Sequence, residues 1–216
     1  MNSKLFNTDK FAPPYPLGDF PENFISIVGK EIVYLLCTKA TTSLEGVEWE
    51  RIFAKAIGAS WKPSVVGLDD VVLKNCSWSA KTVKGIINKK ADPALIGHEV
   101  IAIWNARVEN VRTRFPYLRT VVLIKSEDLL TLRIFEIETK SYDADLYSWI
   151  WNERGNLEGH FKGKHCFTCQ PHGSQFTIIE DIPTNCINFK IKSVPKLEEE
   201  TVLKSIGFDS SWINLL

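Results

Sequence analysis

No stretch of this chain approaches the roughly 20 consecutive apolar residues that a membrane-spanning helix needs. The first twenty residues, MNSKLFNTDKFAPPYPLGDF, lack the charged-then-apolar pattern of a secretory signal. Both absences lead us to expect a cytoplasmic protein with no membrane partner. There is no internal repeat, no low-complexity tract and no Gly/Ser linker, so 216 residues read as one domain with a proper core rather than two. Cysteine is sparse, five in all and scattered, which excludes a disulfide framework and points to reduced thiols. A net charge is also missing, with 26 basic against 26 acidic residues, and this argues against a protein that coats nucleic acid by bulk charge. The chain has no Walker loop, no GxGxxG before a helix, no GxSxG and no HExxH.

What is present is the composition of a folded protein: 44% hydrophobic, 24% charged, with seven Trp and twelve Phe. Charge is balanced globally but not locally. From Lys81 to Lys125 there are nine basic residues against three acidic ones, a surplus of six. That segment is either a solvated face or a surface that meets phosphates.

Pro21 and Glu22 open a helix through PENFISIVGKEIVYLLCTKA. A second helix, EGVEWERIFAKAIGAS, places Trp49, Ile52, Phe53, Ala56 and Ile57 at helical spacing and stops at Gly58. Residues 70–74 and 77–83 read as consecutive strands turning near Asn75. GIINKKADP reads as a connection, after which Asp92 caps and Pro93 begins a long helix to about Arg112, with Ile96, Val100, Ile103, Trp104, Val108 and Val111 on one face. TVVLIKS and LLTLRIFEIE are further strands. From Ser141 the chain is dense in aromatics, Gly, Asn and Thr, and reads as short strands with turns at Asn156, Gly163 and His172-Gly173.

The stretch GLDDVVLKNCSWSAKTVKG, residues 67–85, carries the chemistry. Alternation in a strand points Ser79 and Lys81 to one face and Trp78 and Ala80 to the other. If the two strands pair, Asp70 comes beside Lys81. A carboxylate, the Ala80 carbonyl and a lysine then converge on one hairpin. Oxygen ligands of this kind hold Mg²⁺ against a scissile phosphate, and a cationic amine orients or activates the attacking water.

An Asp leading an apolar strand, a short gap, and an apolar strand ending in an acidic-x-Lys element resembles the PD-(D/E)xK nucleases, type II restriction endonucleases in particular. The resemblance runs from about Glu45 to Glu138, with Ser79-Ala80-Lys81 in place of the acidic-x-Lys element. It implies an α/β (α+β) fold, a restriction-endonuclease-like mixed β-sheet flanked by helices with a β-rich C-terminal third. In a single domain, residues 1–40 would be an arm and helix, 41–140 the catalytic core and 141–216 the DNA-recognition part. Some enzymes of this appearance carry Ser at the Ser79 position and take the carboxylate from the following helix, where this chain offers Glu99. The resemblance therefore implies Asp70, Glu99 and the Ala80 carbonyl as Mg²⁺ ligands, Lys81 acting on water, and Glu50 in support from the preceding helix. Glu99 and Glu50 also read as ordinary solvated helix acids, and Asp69 as a strand-entry cap. A type II restriction enzyme implies a double-stranded DNA substrate, a homodimer on a palindromic target and a cognate DNA methyltransferase in the host.

HFKGKHCFTCQPHG competes for attention, since His160, His165, Cys166, Cys169 and His172 crowd into it. Cys166-x-x-Cys169-x-x-His172 has spacing suited to part of a tetrahedral Zn²⁺ site, completed by His160 or His165. The same loop offers Gln170, His172, Ser174 and Gln175, side chains that donate and accept at once and can read base edges. Lys84, Lys89, Lys90, Arg154, Asn156 and Lys162 would hold the backbone beside it. A DNA-binding module that has lost its chemistry, with Ser79 marking the loss, and a zinc-stabilised β-module remain as alternatives.

Overall fold

A computed structural model of the chain describes residues 12–62, 68–84, 89–91, 98–170, 176–192 and 194–209. The two leading helices follow their spacing. In α1 (Phe24–Thr38) a stripe of Phe24, Val28, Ile32 and Leu36 is buried, one residue per turn. In α2 (Gly46–Ile57) the buried face includes Trp49, Ile52, Phe53, Ala56 and Ile57. Its first turn is closed by Glu48, which accepts from the backbone N–H of Glu45 at 2.8 Å. Its last turn is closed by Gly58, whose φ of +68° is the left-handed conformation that glycine adopts without strain.

The strands form two sheets. The first is mixed, in the order β1 (Ser60–Trp61), β2 (Val71–Leu73), β3 (Cys76–Lys84), β5 (Tyr117–Lys125), β6 (Thr131–Glu138) and β11 (Ile187–Lys190). Only β3 and β5 run parallel, because the connection between them is the crossover through α3 (His98–Arg112). The second sheet is antiparallel throughout, in the order β4 (Lys89–Ala91), β10 (Phe176–Ile178), β9 (Lys164–Cys169), β8 (Leu157–Phe161) and β7 (Ser148–Trp151). A short helix, α4 (Glu199–Ser205), follows. The molecule is thus mixed α and β, with helices against a mixed sheet.

Three elements depart from the sequence reading. Lys89 and Lys90, read as a connection, form the edge strand of the second sheet. β11 leaves the C-terminal third and pairs with β6, so that third does not form one lobe. The helix α4 carries no buried side chain, and lacked the apolar stripe that would have marked it.

Alternation assigns the two faces of the first sheet. Val71, Cys76, Trp78, Ala80, Val121, Leu123, Leu132 and Ile134 face α1 and α2 in the main core. The other face carries Leu118, which packs with Leu68 and with Val108 and Val111 of α3. Ile101, on the same helix, packs instead on Leu157, Phe167, Cys169 and Ile178 of the second sheet, and Trp104 touches both groups. α3 is therefore the layer between the sheets.

One buried polar network ties the N-terminal segment to the main core. Glu136, 2% exposed, accepts from Tyr15 Oη and Trp78 Nε1 at 2.7 Å each, Gly18 N at 3.0 Å and Arg119 Nη1 at 3.2 Å. Burial, and then the neighbouring Glu136 carboxylate, push the Tyr15 phenol far up, so it stays a donor. Gly18 is required here: its φ is +77°, and a Cβ would lie 2.1 Å from Asn185 Nδ2.

Candidate functional site

β2 and β3 form an antiparallel hairpin in which Val71 faces Trp78 and Leu73 faces Cys76, closed by Lys74-Asn75 with Lys74 at φ +55°. The register places Asp70 across from Ser79, since the Val71–Trp78 pair is the next rung. Asp70 also stays aligned with β1, because its carbonyl accepts from Lys62 N–H at 3.0 Å. Alternation then turns Asp70, Ser79 and Lys81 toward the same face, away from Val71 and Trp78. Directly opposed side chains stand ~5 Å apart and diagonal ones ~7 Å, so continuing this register one rung past Val71–Trp78 would set Asp70 opposite Ser79, with Lys81 diagonally beyond it. The two strands pair as the sequence suggested, in a register that sets Ser79 rather than Lys81, two residues further on, across from Asp70.

Asp70 is 4% exposed and Ser79 2%. Lys81 is half-buried, and among the described residues it makes no ion pair or side-chain hydrogen bond. The paired residues of β3 end at Trp78 on the β2 side, so Ala80 and its carbonyl lie beyond the last rung. Asp69 is separated from Asp70 by an ion pair: its Oδ2 lies 2.9 Å from Arg114 Nη2, just past the end of α3. Thr120 faces Ser79 from β5, and its hydroxyl pairs with that of Thr139 at 2.7 Å. Strand pairing alone brings Thr120 to this face, and no motif in the sequence marks it.

The other expected residues divide. Glu50 accepts from Trp61 Nε1 at 3.0 Å, and Trp61 pairs with Val71, whose side chain packs in the core beside α2. The structure therefore holds Glu50 on the helix side and does not bring it to the Asp70 face. Glu99 lies in the first described turn of α3, and its side chain, like those of Lys84, Lys89 and Lys90, lies outside the described residues. His172, Ser174 and Gln175 lie outside them altogether. In the second sheet Arg154 and Asn156 occupy the β7–β8 turn, and Gln170 follows Cys169, which pairs with Leu157, so these three gather at one end. Lys162 sits at the opposite end, in the β8–β9 turn.

The cysteines do not assemble as the zinc spacing suggested. Cys169 is buried in the inner cluster and Cys166 packs partly buried against it, its Sγ donating to the Lys164 carbonyl at 3.3 Å, and among the described residues neither thiol joins the histidines. The outer face of the same hairpin instead gathers Glu158, His160 and His165, with one ligand atom from each lying within 4.8 Å of the others. Asn152 donates to Glu158 Oε1 at 2.6 Å, and this hydrogen bond, outweighing partial burial, holds the Glu158 carboxyl below its usual range. Glu158 escaped the sequence reading because an acid two places from a histidine signals nothing until a strand aligns them.

Comparison of the chain with protein-family models, with curated proteins and with solved structures finds no match. Among the described residues, no helix is long and apolar enough to cross a membrane.

Proposed function

We propose that this protein is a Mg²⁺-dependent, sequence-specific endonuclease of the type II restriction class, hydrolysing phosphodiester bonds in double-stranded DNA. The observation that carries the reading is the β2–β3 pairing, from which alternation assigns Asp70, Ser79 and Lys81 to one face. The mixed sheet flanked by helices agrees with it.

The described donors on this face are all oxygens: the Asp70 carboxylate, the Ser79 hydroxyl and the adjacent Ala80 carbonyl. Such a set suits a hard cation that retains several waters, and offers nothing to a thiophilic metal. Asp70 and the Ala80 carbonyl would hold the ion, with Glu99 as the second carboxylate. Bound Mg²⁺ would supply Lewis-acid stabilisation of the charge that develops on the phosphate. Lys81 donates from its ammonium group to the attacking water or to a phosphate oxygen, and its freedom from ion pairing among the described residues leaves it available. Ser79, on the rung beyond Val71–Trp78, would lie beside the carboxylate. Arg154, Asn156 and Gln170 would meet DNA from the end of the second sheet.

The test is incubation of wild type, Asp70→Ala, Lys81→Ala and Glu99→Ala with plasmid and phage DNA, with and without Mg²⁺. Discrete Mg²⁺-dependent fragments from wild type, lost in the Asp70 and Lys81 variants, are expected. Full cleavage by either variant would remove the assignment. A second reading is favoured by Ser79 itself, since the acidic-x-Lys element lacks its acid: a nuclease-like module that binds DNA without cutting it. That reading predicts DNA binding indifferent to Mg²⁺ and no fragments.

A further inference from the structure

We propose that the β8–β9 hairpin binds one divalent transition-metal ion of the Zn²⁺ class through Glu158 Oε2, His160 Nε2 and His165 Nε2. This site is separate from the β2–β3 hairpin, and its fate does not depend on the nuclease reading.

The backbone explains why three ligands meet. His160 and His165 are direct cross-strand partners beside the turn, and Glu158 is paired with Thr168. Between these rungs the register shifts at Gly159/His160, which leaves Cys166 as an additional residue on β9. A bulge of this kind re-aims side chains. Without it His165 and Thr168, three residues apart, would face opposite ways; with it their side chains touch, Thr168 Oγ1 lying 2.9 Å from His165 Nε2. Glu158, His160, His165 and Thr168 thus share the outer face, while Leu157, Phe167 and Cys169 pack inward.

The distances are close to those of a formed site. Bonds of ~2.0–2.1 Å in tetrahedral geometry place neighbouring ligand atoms ~3.3 Å apart. Glu158 Oε2 lies 3.1 Å from His160 Nε2 and 4.0 Å from His165 Nε2. The two imidazoles are stacked, with centroids 5.0 Å apart and planes inclined by 16°. Asn152 binds the other carboxylate oxygen, which leaves Oε2 directed at the rings, an outer support of the kind metal ligands ordinarily have. In the metal-free arrangement His165 Nε2 lies 2.7 Å from the Phe167 carbonyl. Ligation replaces that hydrogen bond, the ring proton moving to Nδ1 so that the Nε2 lone pair meets the metal.

Two imidazoles and one carboxylate select zinc and its neighbours over Mg²⁺ or Ca²⁺. Three protein ligands leave a further position for water. The three side chains are 22%, 33% and 23% exposed for His160, His165 and Glu158, so solvent reaches that position. It adjoins an open hollow lined by Asn152, Arg154, Asn156 and Thr168. A metal here would cross-link β8 to β9 and hold the hairpin rigid.

The experiment is titration of the metal-free full chain with Zn²⁺ against a chromophoric chelator, and with Co²⁺ to record its visible spectrum. One Zn²⁺ per chain is expected, undisturbed by a large excess of Mg²⁺, with Co²⁺ d–d bands of four- or five-coordinate intensity. His160→Asn and Glu158→Gln should each weaken Zn²⁺ by ~100-fold or more, and Asn152→Ala by ~10-fold. Asp70→Ala should retain full stoichiometry. Absence of stoichiometric Zn²⁺ binding by wild type overturns the proposal, as does a thiolate-to-cobalt charge-transfer band, which would assign the ion to cysteine. Should circular dichroism show that the ligand variants misfold, Asn152→Ala decides, and unchanged affinity there overturns it too.

Discussion

The β2–β3 and β8–β9 hairpins are both closed by two-residue turns with left-handed residues, Lys74 at φ +55° in one, Lys162 at +49° and Gly163 at +78° in the other. Each carries a carboxylate on one face, Asp70 or Glu158. They differ in what surrounds that carboxylate. Asp70 is buried directly before β2, on the face that strand alternation shares with Ser79 and Lys81, whereas Glu158 is partly exposed and lies beside two imidazoles. The supports differ as well. The first hairpin rests on a sheet whose other face holds the Arg119–Glu136 ion pair, and the second rests on Trp149, Tyr147 and Phe167 packed edge to face and in stacks. Similar backbones therefore carry oxygen groups on one face in one hairpin and nitrogen and oxygen groups in the other. The side chains, not the turn, decide which metal each can hold.

The largest way to break this comparison is at the support of the first hairpin. Arg119→Met leaves Glu136 buried with hydrogen-bond donors but no cation, at a cost of about 3–5 kcal/mol. Thermal unfolding should shift down by on the order of 10 °C in a chain of this size. A shift of only a degree or two would mean that Tyr15, Trp78 and Gly18 suffice to hold the carboxylate.

Next come the residues of the proposed nuclease site. Asp70→Ala and Lys81→Ala should each lower Mg²⁺-dependent cleavage by about 10²–10³-fold, a loss of ~2.7–4 kcal/mol of transition-state stabilisation. Zn²⁺ binding at Glu158, His160 and His165 should be unaffected, and joint loss of both would show the hairpins to be coupled.

A smaller effect tests the aromatic support of the second hairpin. A Cβ at Gly159 would lie 2.8 Å from Trp149 Cζ3 and 3.0 Å from Phe167 Cδ2. Gly159→Ala should destabilise the protein by about 1–3 kcal/mol, read by chemical denaturation, because two large rings must shift. Wild-type stability in that variant would mean that the rings repack freely.

The smallest effect concerns the thiols. Burial pushes the Cys76 thiol from 9.0 up to about 12. In the unfolded chain it ionises near its ordinary value, so its contribution to stability is complete below pH 9 and is lost as pH rises from there through about 12. Alkylation in the native state should label half-buried Cys166 well before buried Cys76 and Cys169, and equal rates would contradict the packing of both sheets.

Much of this was legible in the chain. The helix after Pro21, the stripe of α2, the stop at Gly58 and the turn near Asn75 follow from local spacing and backbone preference, and they survive folding because each is satisfied within a few residues. The shared face of Ser79 and Lys81 follows from strand alternation. What depended on distant partners was not legible. Whether Asp70 faces Ser79 or Lys81 is a matter of register, and a shift of two residues separates the answers. Glu50 has the spacing of a site acid, yet Trp61 captures it because β1 closes the edge of the sheet. The cysteine spacing suggested a metal site, but both thiols pack toward the inner cluster and a bulge gathers Glu158, His160 and His165 on the outer face instead. By itself the sequence determined the elements and the kinds of chemistry available, since propensity and periodicity act over short range. Only the tertiary structure decided which side chains meet, because strand register, the bulge on β9 and the packing of α3 between two sheets join residues that are remote along the chain.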